Sequence, residues 1–374
     1  MRVLALVAAA GLGAVAQPVH PLTPLSAREI RAASKILRDS GRLPRGAEFS
    51  VLTLDEPPKE AVLHATSVPR RAYAVIYDRA GNRTWEAVAD LGSARVDSWK
   101  EIPGAQPPIT GEDSELAERI VRGDPRWARA MRERQIRDLN GVAVVTWSAG
   151  YFALPGTEQG RIVRALTYFR GEDGNFFAHP VEGVVAHVNL TTRKILDFVG
   201  IDRDAPVLRQ NASLEAEPFR AAPAPLMITQ PEPGFQIENG EVRWQKWRFR
   251  YALEPREGLV VYTVGYEDDG RVRSILYRGS LSEMVVPYGD PGAGWFFRNS
   301  FDAGELGLGI TASPLRPGVD CPMNCTVYNA VMADSAGEPR AMPRVVALYE
   351  RDGGIAWKHG PEARRARDLV LGFV

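Results

Sequence analysis

The chain has 374 residues, enough for two or three domains with sizeable cores. Its 46 basic residues balance its 46 acidic ones, so the charge does not indicate binding to nucleic acid or to an anionic membrane. Hydrophobic and charged contents of 45% and 25% are ordinary for a folded protein, and 35 glycines and 28 prolines favour a turn-rich, β-rich architecture.

The first 16 residues have the features of a secretory signal peptide. Arg2 supplies the positive charge, 3–15 is an apolar run, and Ala14 and Ala16 are the small residues of a cleavage site. The run is too short to span a membrane comfortably, and no other segment reaches about 20 apolar residues. We therefore expect a secreted protein without a membrane-spanning segment. In such a protein, glycan acceptor sequences occur at Asn82, Asn189, Asn211 and Asn324.

Residues 17–105 and 106–210 are predicted to form two small domains of the same kind, each with helices on an antiparallel sheet. In the first, a capping box at Ser26 and Glu29 begins a helix that Gly41 ends. In the second, Leu116 and Ile120 mark one helix, and a second helix carries Trp127, Met131 and Leu139. Strands are predicted at 49–54, 72–77 and 84–89, and then at 142–147, 162–169, 184–190 and 194–199.

The third part of the chain is predicted to be entirely β. Five prolines within 215–234 predict that 211–234 is an extended linker. From 235 onward the chain alternates apolar and polar residues, and Asn239-Gly240 is a strong hairpin signal. The fold class is therefore α+β: two small helix-plus-antiparallel-sheet domains followed by the beginning of a large all-β sandwich at 235–374. Its strands are predicted at 246–253, 258–266, 271–277, 281–286, 326–332, 344–350 and 368–374.

One stretch, 284–309, has the composition of a site. Tyr288 follows an apolar strand, and Asp302 stands fourteen residues later beyond an aromatic run. A phenol and a carboxylate in one partly desolvated cleft can serve acid–base chemistry, because burial raises a carboxylate's pKa. The alternative is a turn followed by an aspartate that caps the next element.

Several segments together resemble the copper amine oxidase family. The resemblance is carried by 241–250 (EVRWQKWRFR), 255–259 (PREGL), 282–291 (SEMVVPYGDP) and 301–305 (FDAGE), and upstream by 179–185 (HPVEGVV) and 20–26 (HPLTPLS). It therefore covers nearly all of the chain that would follow the signal peptide, and 284–309 is its most specific part.

The resemblance implies a primary amine oxidase that uses copper and topaquinone, converts primary amines and oxygen to aldehydes, ammonia and hydrogen peroxide, and forms a homodimer. By motif position, Asp302 is the base that removes the α-proton of the amine, and Tyr288 hydrogen-bonds the quinone. Ser300 stands at the substrate-gate position, where a serine leaves room for a bulky amine. Phe177 matches a wall of the substrate channel.

The sequence also departs from the family. Topaquinone forms at the tyrosine of Asn-Tyr-Asp/Glu, which does not occur here, and none of the five histidines are two apart, as a copper-binding His-x-His pair requires. Cys321 resembles half of a family disulfide, but its expected partner region has no cysteine; it either pairs with Cys325 or stays free. We expect an inactive fragment whose sequence continues beyond Val374. The alternative is a secreted, non-catalytic binding protein.

Overall fold

The computed structural model describes residues 19–64, 67–150, 160–171, 173, 175–201, 207 and 234–374. The predicted signal peptide, most of the predicted linker and Asn211 lie outside these residues. Within them, no helix is both long enough and apolar enough to cross a membrane.

The first small domain is a helix packed on a four-stranded antiparallel sheet. Ser26 caps the N-terminus of the helix and forms the predicted capping box with Glu29. Ile30, Ala33 and Leu37 lie on its buried face and pack against the sheet. The elements are α1 (Ala27–Asp39), β1 (Glu48–Leu54), α2 (Lys59–His64), β2 (Arg71–Asp78), β3 (Arg83–Asp90) and β4 (Arg95–Glu101), with the strands in the order β1-β2-β3-β4.

The second small domain repeats this arrangement with two helices. Trp127 and Met131 are fully buried against the sheet. The predicted extension of the second helix to Leu139 is wrong: Gln135 has a positive φ of 58°, which ends the helix, and Leu139 lies in a short 3-10 turn. The elements are α3 (Gly111–Arg122), α4 (Pro125–Glu133), β5 (Val142–Ser148), β6 (Ile162–Phe169), β7 (Pro180–Asn189) and β8 (Lys194–Val199), with the strands in the order β5-β6-β7-β8.

The third part consists of two antiparallel sheets that pack face to face and a two-stranded ribbon. The hairpin predicted at Asn239-Gly240 connects the first two strands. Leu253 of one sheet packs in a common core with Met332 and Val346 of the other. The strands are β9 (Phe235–Glu238), β10 (Glu241–Trp244), β11 (Trp247–Glu254), β12 (Gly258–Asp268) and β13 (Arg271–Ser280); the ribbon β14 (Val285–Pro287) and β15 (Asn299–Phe301); and β16 (Thr326–Ala333), β17 (Pro339–His359) and β18 (Glu362–Gly372).

These observations confirm the α+β fold class. Some predicted strands differ in extent: the strand expected at 281–286 is three residues long, and the one expected at 344–350 belongs to the 21-residue β17. Cys321 is bonded to Cys325, which decides between the two alternatives left by the sequence. Cys321 packs against Leu315 and Ala347 in a small apolar cluster.

Candidate active site

The candidate site is built on the β14–β15 ribbon. Val286 lies directly opposite Ser300 in its antiparallel register. Backbone hydrogen bonds extend the pairing at both ends: Asp302 N–H donates to the Met284 carbonyl (3.1 Å), and Tyr288 N–H donates to the Arg298 carbonyl (3.1 Å). Asp302 and Tyr288 therefore lie at opposite ends of one ribbon.

The register also determines which side chains share a face. Opposed residues of an antiparallel pair project to the same side, and every second residue along each strand follows them. The face that carries Ser300 therefore also carries Tyr288 and Asp302. Since Tyr288 pairs with Arg298, four residues before Asp302, the two lie roughly 13 Å apart along the ribbon at about 3.3 Å per residue.

Ser300 holds the carboxylate of Asp302. Its hydroxyl donates a 2.8 Å hydrogen bond to Asp302 Oδ1, and the Asp302 side chain is half-buried. Asp302 also begins a single π-helical turn that ends at Leu306. The resemblance gave Ser300 only a gate position; the structure adds a contact that orients the candidate base. In the sequence, Ser300 and Asp302 are two residues apart, which places both on one face of a strand. This spacing was the signal that could have indicated the contact.

The turn after Asp302 is anchored to the second small domain by Glu305. Its Oε1 accepts a hydrogen bond from the Ser148 N–H (2.5 Å), and its carbonyl accepts one from Ile109 N–H (2.8 Å). At the start of the turn, Glu283 Oε1 accepts from the Ala303 N–H (2.9 Å). These bonds fix the backbone that follows the candidate base.

Tyr288 lies at the edge of an aromatic cluster. Its side chain is 50% exposed, and its ring meets Trp147 edge-on with centroids 5.6 Å apart and Trp295 at 6.4 Å. Arg298, only 5% exposed, places its guanidinium 3.4 Å from the Trp295 ring centroid and donates to the Tyr168 hydroxyl (3.3 Å). Burial lowers the pKa of Arg298 from its ordinary value. Sequence reasoning identified neither Trp147 nor Arg298.

The loop between the two ribbon strands docks on the outer face of the second sheet. Trp295 Nε1 donates to Glu182 Oε1 (3.0 Å). Phe297 is buried and packs against Leu166 and Val185, while the Arg164 guanidinium lies 3.7 Å from its ring centroid. Burial lowers the pKa of Arg164 to about 10. The second small domain therefore forms the floor beneath the ribbon.

Phe177 lies near this aromatic cluster. It belongs to a 3-10 turn at Phe176–Ala178 and is 63% exposed. Its ring contacts Phe176, with centroids 4.2 Å apart, and meets Tyr168 edge-on at 5.6 Å. Tyr168 also accepts the hydrogen bond from Arg298, whose backbone carbonyl accepts from the Tyr288 N–H, so Phe177 is linked to Tyr288 through two intervening residues. The described contacts do not join it to Asp302 directly.

The histidines are dispersed through the fold. His179 pairs with Asp173 at 2.8 Å, and His187 lies near the C-terminal end of β7. His20 precedes α1, His64 ends α2, and His359 ends β17. Throughout the described part of the chain, no three His, Cys, Asp or Glu side chains come together as a metal site would require. The five histidines, as the structure arranges them, do not fit a copper site.

Comparison with known proteins gives the family. Models described as copper amine oxidase N2 domain, N3 domain and enzyme domain match residues 20–102, 112–215 and 236–374. A primary amine oxidase from Arthrobacter sp. (strain P1) is 36% identical over 369 residues. The chain belongs to the copper amine oxidase family. The match covers 95% of this chain and 56% of the Arthrobacter protein.

Other members of the family are similar to this chain over nearly the same length. A peroxisomal copper-containing diamine oxidase from Nicotiana tabacum is 34% identical over an alignment of 417 residues, gaps included. The alignment covers 96% of this chain and 53% of that protein. The crystal structure of a copper-containing benzylamine oxidase from Hansenula polymorpha has the same fold, with a TM-score of 0.79 at 24% identity over 95% of this chain and 60% of that one. The chain thus spans about half the length of the curated relatives it matches.

Proposed function

We propose that these residues form the base-bearing side of a primary amine oxidase site. The observation that carries the proposal is the shared ribbon face, on which Tyr288 and Asp302 lie on either side of Ser300. Family membership supports the reaction class, in which a primary amine and oxygen give an aldehyde, ammonia and hydrogen peroxide. Copper and topaquinone supply the electron-transfer chemistry of that reaction when bound.

Asp302 is the proton acceptor in this proposal. Ser300 occupies Oδ1, so we assign Oδ2 to receive the proton from the carbon that bears the amine nitrogen. The bonds of Glu305 and Glu283 hold the backbone around Asp302, which limits the freedom of its carboxylate. The Tyr288 hydroxyl would donate a hydrogen bond to the quinone. Phe177 would line the approach, and the small Ser300 would leave space for a bulky amine.

We propose that these 374 residues supply neither cofactor. The sequence has no Asn-Tyr-Asp/Glu and no His-x-His, and the described residues gather no metal-ligand group. The quinone tyrosine and the copper histidines would then belong to a longer protein.

The test is amine-dependent hydrogen peroxide production by the copper-loaded product of the complete native gene. Asp302→Asn should lower turnover at least about a hundredfold, because it removes a base that acts directly on the substrate. Asp268→Asn is the matched control, since Asp268 is exposed at the β12–β13 turn. If the wild-type protein produces no peroxide from any of a panel of primary amines, the proposed function fails.

The departures from the family favour a second candidate, a non-catalytic secreted protein that binds ligands on the same scaffold. It predicts a complete gene product that lacks redox-cycling quinone staining after copper loading and aeration. Positive staining would exclude this second candidate.

Secretion, glycosylation and homodimer formation are further proposals, and secretion rests on the charge and apolar run of residues 1–16. Asn324 is exposed and therefore a better glycan acceptor than Asn189, whose side chain is buried. Mass spectrometry of the secreted protein would test both secretion and glycan occupancy, and light scattering would test the dimer.

A further inference from the structure

A cavity of about 440 Å³ lies between the first small domain and the large sheet of the third part. One wall is the face of the β1–β4 sheet that points away from α1, and it includes Val51, Thr53, Val75 and Glu86. The opposite wall is the end of β11 and the turn that leads to β12, at 254–257. The volume is in the range of small-molecule binding sites. Gly304, in the turn that follows Asp302, also lines this cavity.

Only some of the charged side chains that line the cavity have a partner of opposite charge. Four carboxylates and two guanidinium groups line it. Arg278 is bound by two of the carboxylates, Glu56 (3.0 Å) and Glu257 (2.6 Å), and Arg256 reaches instead towards Glu283 (3.8 Å). The other two carboxylates, Glu86 and Glu254, form no ion pair with any described residue. Glu86 accepts a hydrogen bond from the Tyr73 hydroxyl (2.9 Å).

Glu254 is the carboxylate that indicates a ligand. Its side chain is 9% exposed yet lines the cavity. Thr53 Oγ1 donates to its Oε2 (2.8 Å), and across the described residues Oε1 accepts no hydrogen bond. Oε1 is therefore free to accept a hydrogen bond from a donor in the cavity. Apolar and proline side chains also line the cavity: Val51, Leu54, Val75, Ile102, Pro107, Pro108 and Pro255.

We propose that this cavity binds a primary alkylammonium ion, with the ammonium group donating to Glu254 Oε1 and the alkyl chain lying against Val51 and Val75. An ammonium head supplies both the missing donor and the missing positive charge, and a short alkyl chain matches the apolar walls. An anion would face uncompensated carboxylates, and a neutral alcohol would leave their charge unbalanced. The site is separate from Asp302, and its existence does not depend on catalysis.

The test is isothermal titration of the 374-residue protein with butylammonium chloride at pH 8. We expect saturable binding of one ion per chain, weakened at least about tenfold in Glu254→Gln, which keeps the shape and removes the charge. Butan-1-ol, which has the same alkyl chain without the charge, should bind the wild type at least about tenfold more weakly than butylammonium does. Glu238→Gln is the matched control, because Glu238 is exposed on β9 and should leave affinity unchanged.

A second variant keeps the proposal testable if Glu254→Gln does not fold. Val75→Phe adds volume to a half-buried position on the cavity wall without changing charge, and it should also weaken butylammonium binding. Two results would overturn the inference: no saturable binding to the wild-type protein, or the same affinity in wild type, Glu254→Gln and Val75→Phe.

Discussion

Replacement of Glu254 by glutamine should stabilise the protein in a pH-dependent way. Burial raises the pKa of the Glu254 carboxyl from its ordinary 4.5 to about 7, because the surrounding protein removes the water that stabilises the charged form. The nearby carboxylates of Glu56 and Glu257 raise it further, whereas the hydrogen bond from Thr53 and the charge of Arg278 lower it.

The sign follows from proton linkage. Between pH 4.5 and 7 the folded protein retains a proton that the unfolded chain releases. The stability that Glu254 contributes is therefore fully present below pH 4.5 and is lost as pH rises through 7. At about 1.4 kcal/mol per pKa unit, the loss amounts to about 3 kcal/mol at pH 8. Glutamine resembles the protonated form at every pH, so Glu254→Gln avoids this loss.

The assay is urea denaturation of wild type and Glu254→Gln at five pH values from 4 to 8, followed by tryptophan fluorescence. The variant should match wild type near pH 4 and exceed its free energy of unfolding by about 3 kcal/mol at pH 8. Glu238→Gln, at an exposed position, should show no such trend. A constant difference at all pH values, or a less stable variant at pH 8, would refute the reasoning.

Three further predictions concern the second small domain and the ribbon. Burial lowers the pKa of His187 to about 4, so the stability that it contributes is present above pH 6.5 and is lost as pH falls through 4. In the same urea series, the free energy of unfolding of His187→Gln should therefore fall by about 3 kcal/mol less than that of the wild type between pH 6.5 and pH 4. Phe297→Ala should cost about 3 kcal/mol or more of unfolding free energy, because it leaves a cavity under Arg164. In the complete native protein, Ser300→Ala should lower kcat without abolishing amine binding, measured by steady-state peroxide production, because Asp302 loses the donor that orients it.

Local signals predicted the local elements. The capping box at Ser26, the hairpin at Asn239-Gly240 and the period-two strands act over a few residues, and the structure contains each of them. The missed β4 is an edge strand whose residues are mostly exposed, so it lacks the alternation that marks a half-buried strand. The error at the end of α4 came from Gln135, whose left-handed backbone conformation no local pattern indicated.

Prediction of the candidate site from the sequence was limited in the same way, because some of its contacts join residues that are distant in the chain. Tyr288 and Asp302 were found because they lie in one specific stretch of sequence. They lie at opposite ends of one ribbon because a loop connects its two antiparallel strands. Trp147 and Ser148 were not found, because their partners Tyr288 and Glu305 are more than a hundred residues away in the chain. Only packing of the second domain against the third brings them together.

That packing explains how the geometry of the candidate site is held. Two successive residues at the end of β5 contact both ends of the ribbon: Trp147 meets the Tyr288 ring through its side chain, and Ser148 binds Glu305 through its backbone N–H. A strand presents its side chain and its backbone donor in different directions, so one rigid segment can fix two targets at once. The spacing between Tyr288 and Asp302 is therefore set by the second small domain as well as by the ribbon register.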